Sequence, residues 1–462
     1  MIMAGREARK RAVGLDGARG NFLLKGVSLA VTQDSERRIL RSCDVRVSKG
    51  LFWEIGFGLK REKGEEQIDC TGRLMMPGLI NTHNHLPMSV LRGLGDDLPL
   101  HEWLTTRIFP LEEKMGKTEY VSGAEFSLME AALTGTTTVL DMYMRTELYY
   151  KSLEKSGMRV FSGYSITDFG DPSEKLRRAE KMLKKGKAGA LVRPGIAPHA
   201  IYTTGNETIK ACFSLAEKYN TFFQIHASET RKEVSDSELS RGKRPIEVLD
   251  SLGVLSPRTT LAHCGWISKS EARTIARTGA GVSHCPVSNM KLATGGVSPI
   301  PELDSYGAKI SLGTDGPASN NTLDMFDTMK FSALIHKHHR WDATAVSAQK
   351  ALDYATIGGA RALGIEKETG SIEIGKDADF LLLDLSNFRL KPLANPASLI
   401  VYSATGDIPK DVYVRGRKIA SGSRHMAFDS EKSSKALESA TERICRKAGI
   451  PVPEFLGAGK GK

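Results

Sequence analysis

Eight short apolar runs, separated by longer amphipathic stretches between residues 77 and 370, constrain this chain more than any other feature of it. They are LINTHNH ending at His85, TTTVLDMY at 136–143, RVFSGYS at 159–165, LVRPGIAPH ending at His199, FFQIHAS at 222–228, TTLAHCG at 259–265, AGVSHCP at 280–286 and KISLGTD ending at Asp315. Strand-length runs alternating with helix-length segments are the pattern of parallel α/β architecture, since each crossover must return the chain to the same end of the sheet. Nearly every run carries His, Asp, Ser or Cys at or near its end. Barrel enzymes assemble their chemistry at the C-terminal ends of strands, above a packed apolar interior. The expected fold class is therefore α/β, with a (β/α)8 TIM-like barrel over 77–370. A doubly wound sheet competes, but neither G-x-G-x-x-G nor G-x-x-x-x-G-K-[ST] occurs in a strand-turn-helix context, so nucleotide phosphates are not expected ligands.

Two strand-rich segments flank this centre. Residues 20–76 contain FLLKGVSLAVTQ and SCDVRVSKGLFWEIG, and 371–425 contain GSIEIGKDADFLLLDL, LIVYSA and DVYVRGRKIA, whose alternation and turn residues read as strands. They are expected to form one small sheet domain, followed by a C-terminal extension over 426–462. The 462 residues would allow three domains at roughly 150 each, but the pattern gives two units. The net charge of +11 is gathered in local stretches such as Lys181, Lys184, Lys185 and Lys187 and the terminal GAGKGK, without a nucleic-acid module motif, so no nucleic-acid partner is expected. Six cysteines without knuckle spacing point to a reducing compartment. The basic N-terminus lacks the apolar core of a signal peptide and no run reaches 18 apolar residues, so the expectation is a cytoplasmic protein without a membrane partner.

His83 and His85 stand two apart in NTHNH, so on a strand both imidazoles project to one side. Further strand ends supply His226 with Glu229 in HASE, His263 in AHC and Asp315 in GTDGPASNN. This imidazole and carboxylate set suits divalent zinc. A site of His83, His85, His226 and Asp315 would leave Glu229 and His263 beside it as acid-base groups. A bound divalent ion lowers the pKa of water toward neutrality, which makes hydrolysis feasible without an organic cofactor.

In this order the segments PGLINTHNHLPMSVLRGLGDDLPLHEWL, APHAIYTT, HASET, LAHCGW, SHCPVSNMKLATGG and SLGTDGPASNNTLDMF resemble the amidohydrolase superfamily, and within it the deaminases related to 5'-methylthioadenosine/S-adenosylhomocysteine deaminase, including 5'-deoxyadenosine deaminases. The resemblance runs over almost the whole chain. It implies a metal-dependent hydrolase barrel with a small β-sandwich domain made from both chain ends. It implies one zinc ion per subunit on His83, His85, His226 and Asp315, a site that also admits Fe2+ or Mn2+. It further implies a glutamate proton shuttle at Glu229, catalytic roles for His263 and Asp315, and substrate contacts from Trp103, Glu112, His199 and Glu229. The implied reaction is hydrolytic deamination at adenine C6 of a small-molecule nucleoside, by a homo-oligomer, either dimer or tetramer.

Members that act on S-adenosylhomocysteine use arginines at the far end of the pocket, suited to a carboxylate. Here one such position matches Tyr164 and the other falls near Lys175, with Arg177 and Arg178 close by. Loss of the first arginine favours a small uncharged 5' group. Guanine, 8-oxoguanine or triazine substrates are the alternatives on the same scaffold, and a non-catalytic scaffold is the alternative of a different class. His336, His338 and His339 read as a solvated face or subunit contact, and Cys264 and Cys285 as packing or pocket-wall residues.

Overall fold

A computed structural model describes residues 20–456; the basic segment before them and the terminal GAGKGK lie outside the described residues. The amino-terminal segment forms β1 (Phe22–Val31), β2 (Ile39–Ser48), β3 (Leu51–Gly56), β4 (Glu66–Asp69) and β5 (Arg73–Pro77). The central run forms β6 (Leu79–Asn84), β7 (Thr136–Tyr143), β8 (Arg159–Ile166), β9 (Val192–Pro198), β10 (Phe223–Ala227), β11 (Thr259–His263), β12 (Gly281–His284) and β13 (Lys309–Leu312). After them come β14 (Phe380–Asp384), β15 (Pro409–Val414), β16 (Arg417–Ser421) and β17 (Arg424–His425).

Strands β6 to β13 pair in sequence order, all parallel, and each falls on one of the eight apolar runs. They are buried along almost their whole length, which is why they read as near-continuous apolar runs rather than alternating ones. The circle closes between β13 and β6 without a regular ladder. Asp315 N–H donates to His83 O at 3.0 Å, and Thr82 Oγ1 donates to Leu312 O at 3.0 Å. Gly313 sits in this seam, where a Cβ would meet the His83 Cβ and the Ser283 Oγ, each at 2.7 Å; only a glycine lets the two strand ends approach so closely.

The small sheet runs β17-β16-β15-β14-β5-β1-β2-β3, with β4 alongside β1. The expected sandwich is one sheet curled on itself: Phe52 on β3 packs against Phe380 on β14 with ring centroids 6.0 Å apart, and Phe380 stacks on Tyr413 of β15 at 4.4 Å. Its core is separate from the barrel's, built from Leu24, Val27, Val45, Met75 and Leu382 with these rings. Arg159, fully buried at the start of β8, ties the two units together through Asp377 at 2.6 Å and Asp379 at 2.9 Å, and Arg415 reaches the same Asp377 at 2.8 Å.

The C-terminal extension contributes a helix, Ser430–Ala448, lying on the helix Lys117–Leu133. Thr441 Oγ1 donates to Val90 O at 3.0 Å and Arg443 pairs with Glu119 at 2.6 Å. Among the described residues no helix is long and apolar enough to cross a membrane.

One expectation fails here. His336 is not on a solvated face: it is fully buried, with its Nε2 3.1 Å from Nε2 of His284 at the end of β12. It shares the inward face of the helix Met325–Arg340 with Met329, Ser332 and Ala333, whereas His338 and His339 are exposed. Cys264 and Cys285 are buried free thiols.

Candidate active site

The strand ends bring His83, His85, His226, His263 and Asp315 to one point at the C-terminal mouth of the barrel. His83 Nε2 lies 3.2 Å from His226 Nε2 and 3.3 Å from Asp315 Oδ1, and His85 Nε2 lies 3.1 Å from the same Oδ1. Ligands held tetrahedrally at roughly 2.0 Å from one divalent ion stand roughly 3.3 Å apart.

The far nitrogen of each ring tests the fit. His83 Nδ1 donates to Gln224 Oε1 at 3.0 Å, His85 Nδ1 to Met142 O at 2.5 Å, and His226 Nδ1 to His199 O at 2.8 Å. Oxygens of amide groups can only accept, so all three rings carry their proton on Nδ1 and turn an Nε2 lone pair toward the common point. Gln224 is itself oriented, since its amide Nε2 donates to Thr82 O at 2.9 Å. Burial pushes the pKa of His83 down to about 4 and that of His226 well below the ordinary range, which keeps both rings neutral. Burial alone would raise the Asp315 pKa, but His83 and His85 hold it well below the usual carboxylate range. Neutral imidazoles and an ionised carboxylate are the forms a metal ion binds.

Asp315 divides its two oxygens. Oδ1 faces the imidazoles, while Oδ2 accepts from Ser288 Oγ at 2.5 Å and Ser319 Oγ at 2.8 Å. Glu229 follows a turn held by Glu233, whose carboxylate accepts from Ser228 N–H at 3.0 Å and Glu229 N–H at 2.8 Å. Burial, with a further contribution from the charge of Asp315, pushes the Glu229 carboxyl up to about 8, so that it carries a proton at neutral pH. His263 Nε2 is 3.9 Å from Glu229 Oε2. Four residues at these strand ends, Ser228, His263, Cys264 and Asp315, have φ between 51° and 73°. Left-handed backbone costs a non-glycine residue roughly 1–2 kcal/mol. Here that cost falls at the strand ends that aim His263 and Asp315 at the cluster, as it also does at turns elsewhere in the chain.

The cluster forms the floor of a cavity of about 600 Å³. His85, His199, His226, Glu229, His263, Asp315, Trp103 and Glu112 all line it, with the buried His83 behind. Trp103, on a short helix at Leu100–Trp103, gives an apolar wall. Tyr143 O–H donates to Glu112 Oε1 at 2.5 Å, fixing one carboxylate oxygen and leaving Oε2 available to a ligand. Thr203 Oγ1 donates to Ala200 O and accepts from His199 Nδ1 at 2.9 Å, which turns the His199 Nε2 lone pair toward the cavity. A second, larger groove of about 1190 Å³ lies at the opposite end of the barrel and contains none of these residues.

Tyr164, the position matched to an arginine of the pocket, does not line the cavity. Tyr164 is buried outside the cavity beside Glu147, while its neighbour Ser165 lines the cavity, as the two-residue period of a strand requires. Lys175 does line it and donates to Thr167 O at 2.9 Å, Thr167 Oγ1 at 2.8 Å and Phe169 O. Arg178 instead pairs with Glu174, and neither it nor Arg177 lines the cavity. Gln224, Tyr143, Glu233, Ser288, Ser319 and Asn289 were not singled out by sequence reasoning. Gln224 and Tyr143 were within its reach, as one stands two residues before His226 on a strand and the other ends a strand.

Comparison with known proteins places these features in a family context. The model of the Amidohydrolase family matches residues 74–419. The chain is 42% identical over 383 residues to a 5'-deoxyadenosine deaminase of Methanothermobacter thermautotrophicus, covering 82% of this chain and 89% of that protein. It is 40% identical over 364 residues to a 5-methylthioadenosine/S-adenosylhomocysteine deaminase of Thermodesulfovibrio yellowstonii, covering 78% and 83%. Among solved structures it is similar to an adenosine deaminase from Xanthomonas campestris with bound zinc, with a TM-score of 0.89 and 32% identity over 92% of this chain and 99% of that one.

Proposed function

The chain belongs to the amidohydrolase family, and from that premise we propose that it hydrolyses the C6 amino group of adenine in 5'-modified adenosines, giving an inosine-type nucleoside and ammonia. The observation that carries this reading is the meeting, in one cavity, of the His/Asp cluster, the protonated Glu229 and a Glu112 carboxylate with one free oxygen. We assign His83, His85, His226 and Asp315 as ligands of one zinc ion per subunit. Such an ion makes water acidic enough to attack near neutral pH. As water adds at C6, Asp315 accepts one of its protons and Glu229 donates its own proton to ring nitrogen N1; Glu229 then takes the proton held by Asp315 and passes it to the departing amine, so that ammonia leaves, and the C6 hydroxyl proton restores the Glu229 carboxyl as the carbonyl forms. His263 orients the oxygen at C6. Trp103 packs on the planar ring, and Glu112 Oε2 and His199 Nε2 accept hydrogen bonds from ribose hydroxyls.

The 5' substituent points to the far end of the cavity, at Lys175. That ammonium already has three oxygen acceptors, which saturate its three N–H donors. A homocysteine carboxylate must displace one of them, whereas a deoxy or methylthio group need not. We therefore place 5'-deoxyadenosine and 5'-methylthioadenosine ahead of S-adenosylhomocysteine as substrates. The segments 20–76 and 371–425 serve as one supporting domain to a catalytic unit over 77–370. The enzyme works in the cytoplasm as a homo-oligomer, for which the exposed Phe331, Leu334 and Trp341, on and just after the helix Met325–Arg340, offer apolar surface.

Glu112→Gln tests the nucleoside assignment. Turnover of 5'-deoxyadenosine should fall far more than turnover of a bare-base analogue, because only the nucleoside has ribose hydroxyls to lose. Equal losses on both would overturn it.

A further inference from the structure

The helix Pro286–Lys291 follows β12 directly, and two adjacent side chains on it reach different members of the site. Ser288 Oγ donates to Asp315 Oδ2 at 2.5 Å, on the side of the carboxylate away from the imidazoles. Asn289 Nδ2 lies 3.2 Å from His263 Nδ1. An amide nitrogen only donates, so Nδ1 of His263 is the acceptor and the ring proton sits on Nε2. This is the opposite arrangement to that of His83, His85 and His226, whose Nδ1 atoms all face oxygen acceptors. The contrast matters because proximity alone does not sort the rings: His263 also comes within ligating range of His83 and Asp315. Its Nε2 points at the cavity, 3.9 Å from Glu229 Oε2, and carries a hydrogen where the other three carry a lone pair.

We propose that Asn289 is a positioning residue that fixes His263 in the Nε2–H tautomer, keeping it out of the metal-ligand set and making it a hydrogen-bond donor to the oxygen that adds at C6. With Ser288 beside it, one short helix sets both the carboxylate that joins the imidazoles and the imidazole that does not. In this arrangement His263 takes no proton from the attacking water; the proton traffic of the reaction belongs to Glu229 and Asp315. The inference rests on the deaminase reading for the identity of that oxygen, but the tautomer itself is a property of the folded chain.

The test is nitrogen-15 NMR of the metal-loaded protein labelled at histidine, with His263→Gln used to assign the His263 signals. The wild type should show Nε2 as the protonated nitrogen and Nδ1 as the unprotonated one. Asn289→Asp, an acceptor of the same shape, should reverse the pair and lower kcat by roughly 100- to 1000-fold, the cost of one lost donor at a developing oxyanion, with KM little changed. Asn289→Ala should lower kcat without imposing the reversal. A wild-type ring protonated on Nδ1, or an Asn289→Asp variant that keeps both wild-type tautomer and kcat, overturns the proposal, and the wild-type spectrum decides even if a variant fails to fold. Absence of ammonia release from every adenosine derivative, with the Nε2–H tautomer intact, would instead remove the deaminase reading and leave the positioning role standing.

Discussion

Gln224 Oε1, Met142 O and His199 O decide what three imidazoles can do, because each removes the Nδ1 proton from the reaction and leaves an Nε2 lone pair at the cluster. Of the three, only Gln224 acts through a side chain. Gln224→Leu should weaken metal affinity roughly 10- to 100-fold in a chelator competition, and unchanged affinity would show that its bond to His83 has no orienting effect. Glu229→Gln keeps the shape and removes the acid; kcat should fall roughly 100- to 10,000-fold while bound metal stays at the wild-type level, and a matching loss of metal would make Glu229 a ligand instead. The cluster was legible in the sequence because strand ends carry it, and strand ends are visible as breaks in apolar runs. Gln224 was legible by the same logic, since positions two apart on a strand face the same way. Ser288 and Asn289 were not, since nothing local tells which helix turn will stand above which strand.

At the scale of elements, the two-residue period settles which side chains a strand can offer, and it puts Ser165 rather than Tyr164 on the cavity. The helical period similarly separates His336 from His338 and His339, which composition alone could not do. The buried His284–His336 pair has a consequence for stability. Burial, reinforced by the positive charge of Arg340, pushes the His336 pKa down to about 3, and His284 is likewise held well below the ordinary range. The fold therefore needs both rings neutral. Their contribution is fully present above the unfolded value of roughly 6.5 and is lost as pH falls toward the folded values, by about 1.4 kcal/mol per pH unit for each ring. In urea titrations from pH 7.5 to 5, His336→Gln should lose less stability than the wild type by about 2 kcal/mol at pH 5. Equal slopes in both proteins would contradict the account.

Across the whole molecule, the barrel carries the His/Asp cluster and the curled sheet is joined to the start of its strand β8 through Arg159, Asp377, Asp379 and Arg415. Arg159→Ala leaves two buried carboxylates with less compensation and should cost roughly 3–5 kcal/mol in thermal or denaturant unfolding; a loss under 1 kcal/mol would mean the junction is dispensable. The eight apolar runs made the barrel readable from the sequence because parallel strands covered on both faces have no polar side to interrupt them. The curl of the small sheet was not readable, because it depends on Phe52 meeting Phe380 across strands far apart in the chain. The net charge of +11 gave no guide to the substrate, and the cavity floor is instead an imidazole and carboxylate cluster. The central claim is that this cluster and Glu229 serve adenine C6 in a 5'-modified nucleoside. Ammonia release measured across 5'-deoxyadenosine, 5'-methylthioadenosine, S-adenosylhomocysteine, adenosine and free bases, compared as kcat/KM, tests it most directly. The account predicts the highest values for 5'-deoxyadenosine and 5'-methylthioadenosine; a free base or a triazine turned over faster than every nucleoside would contradict it.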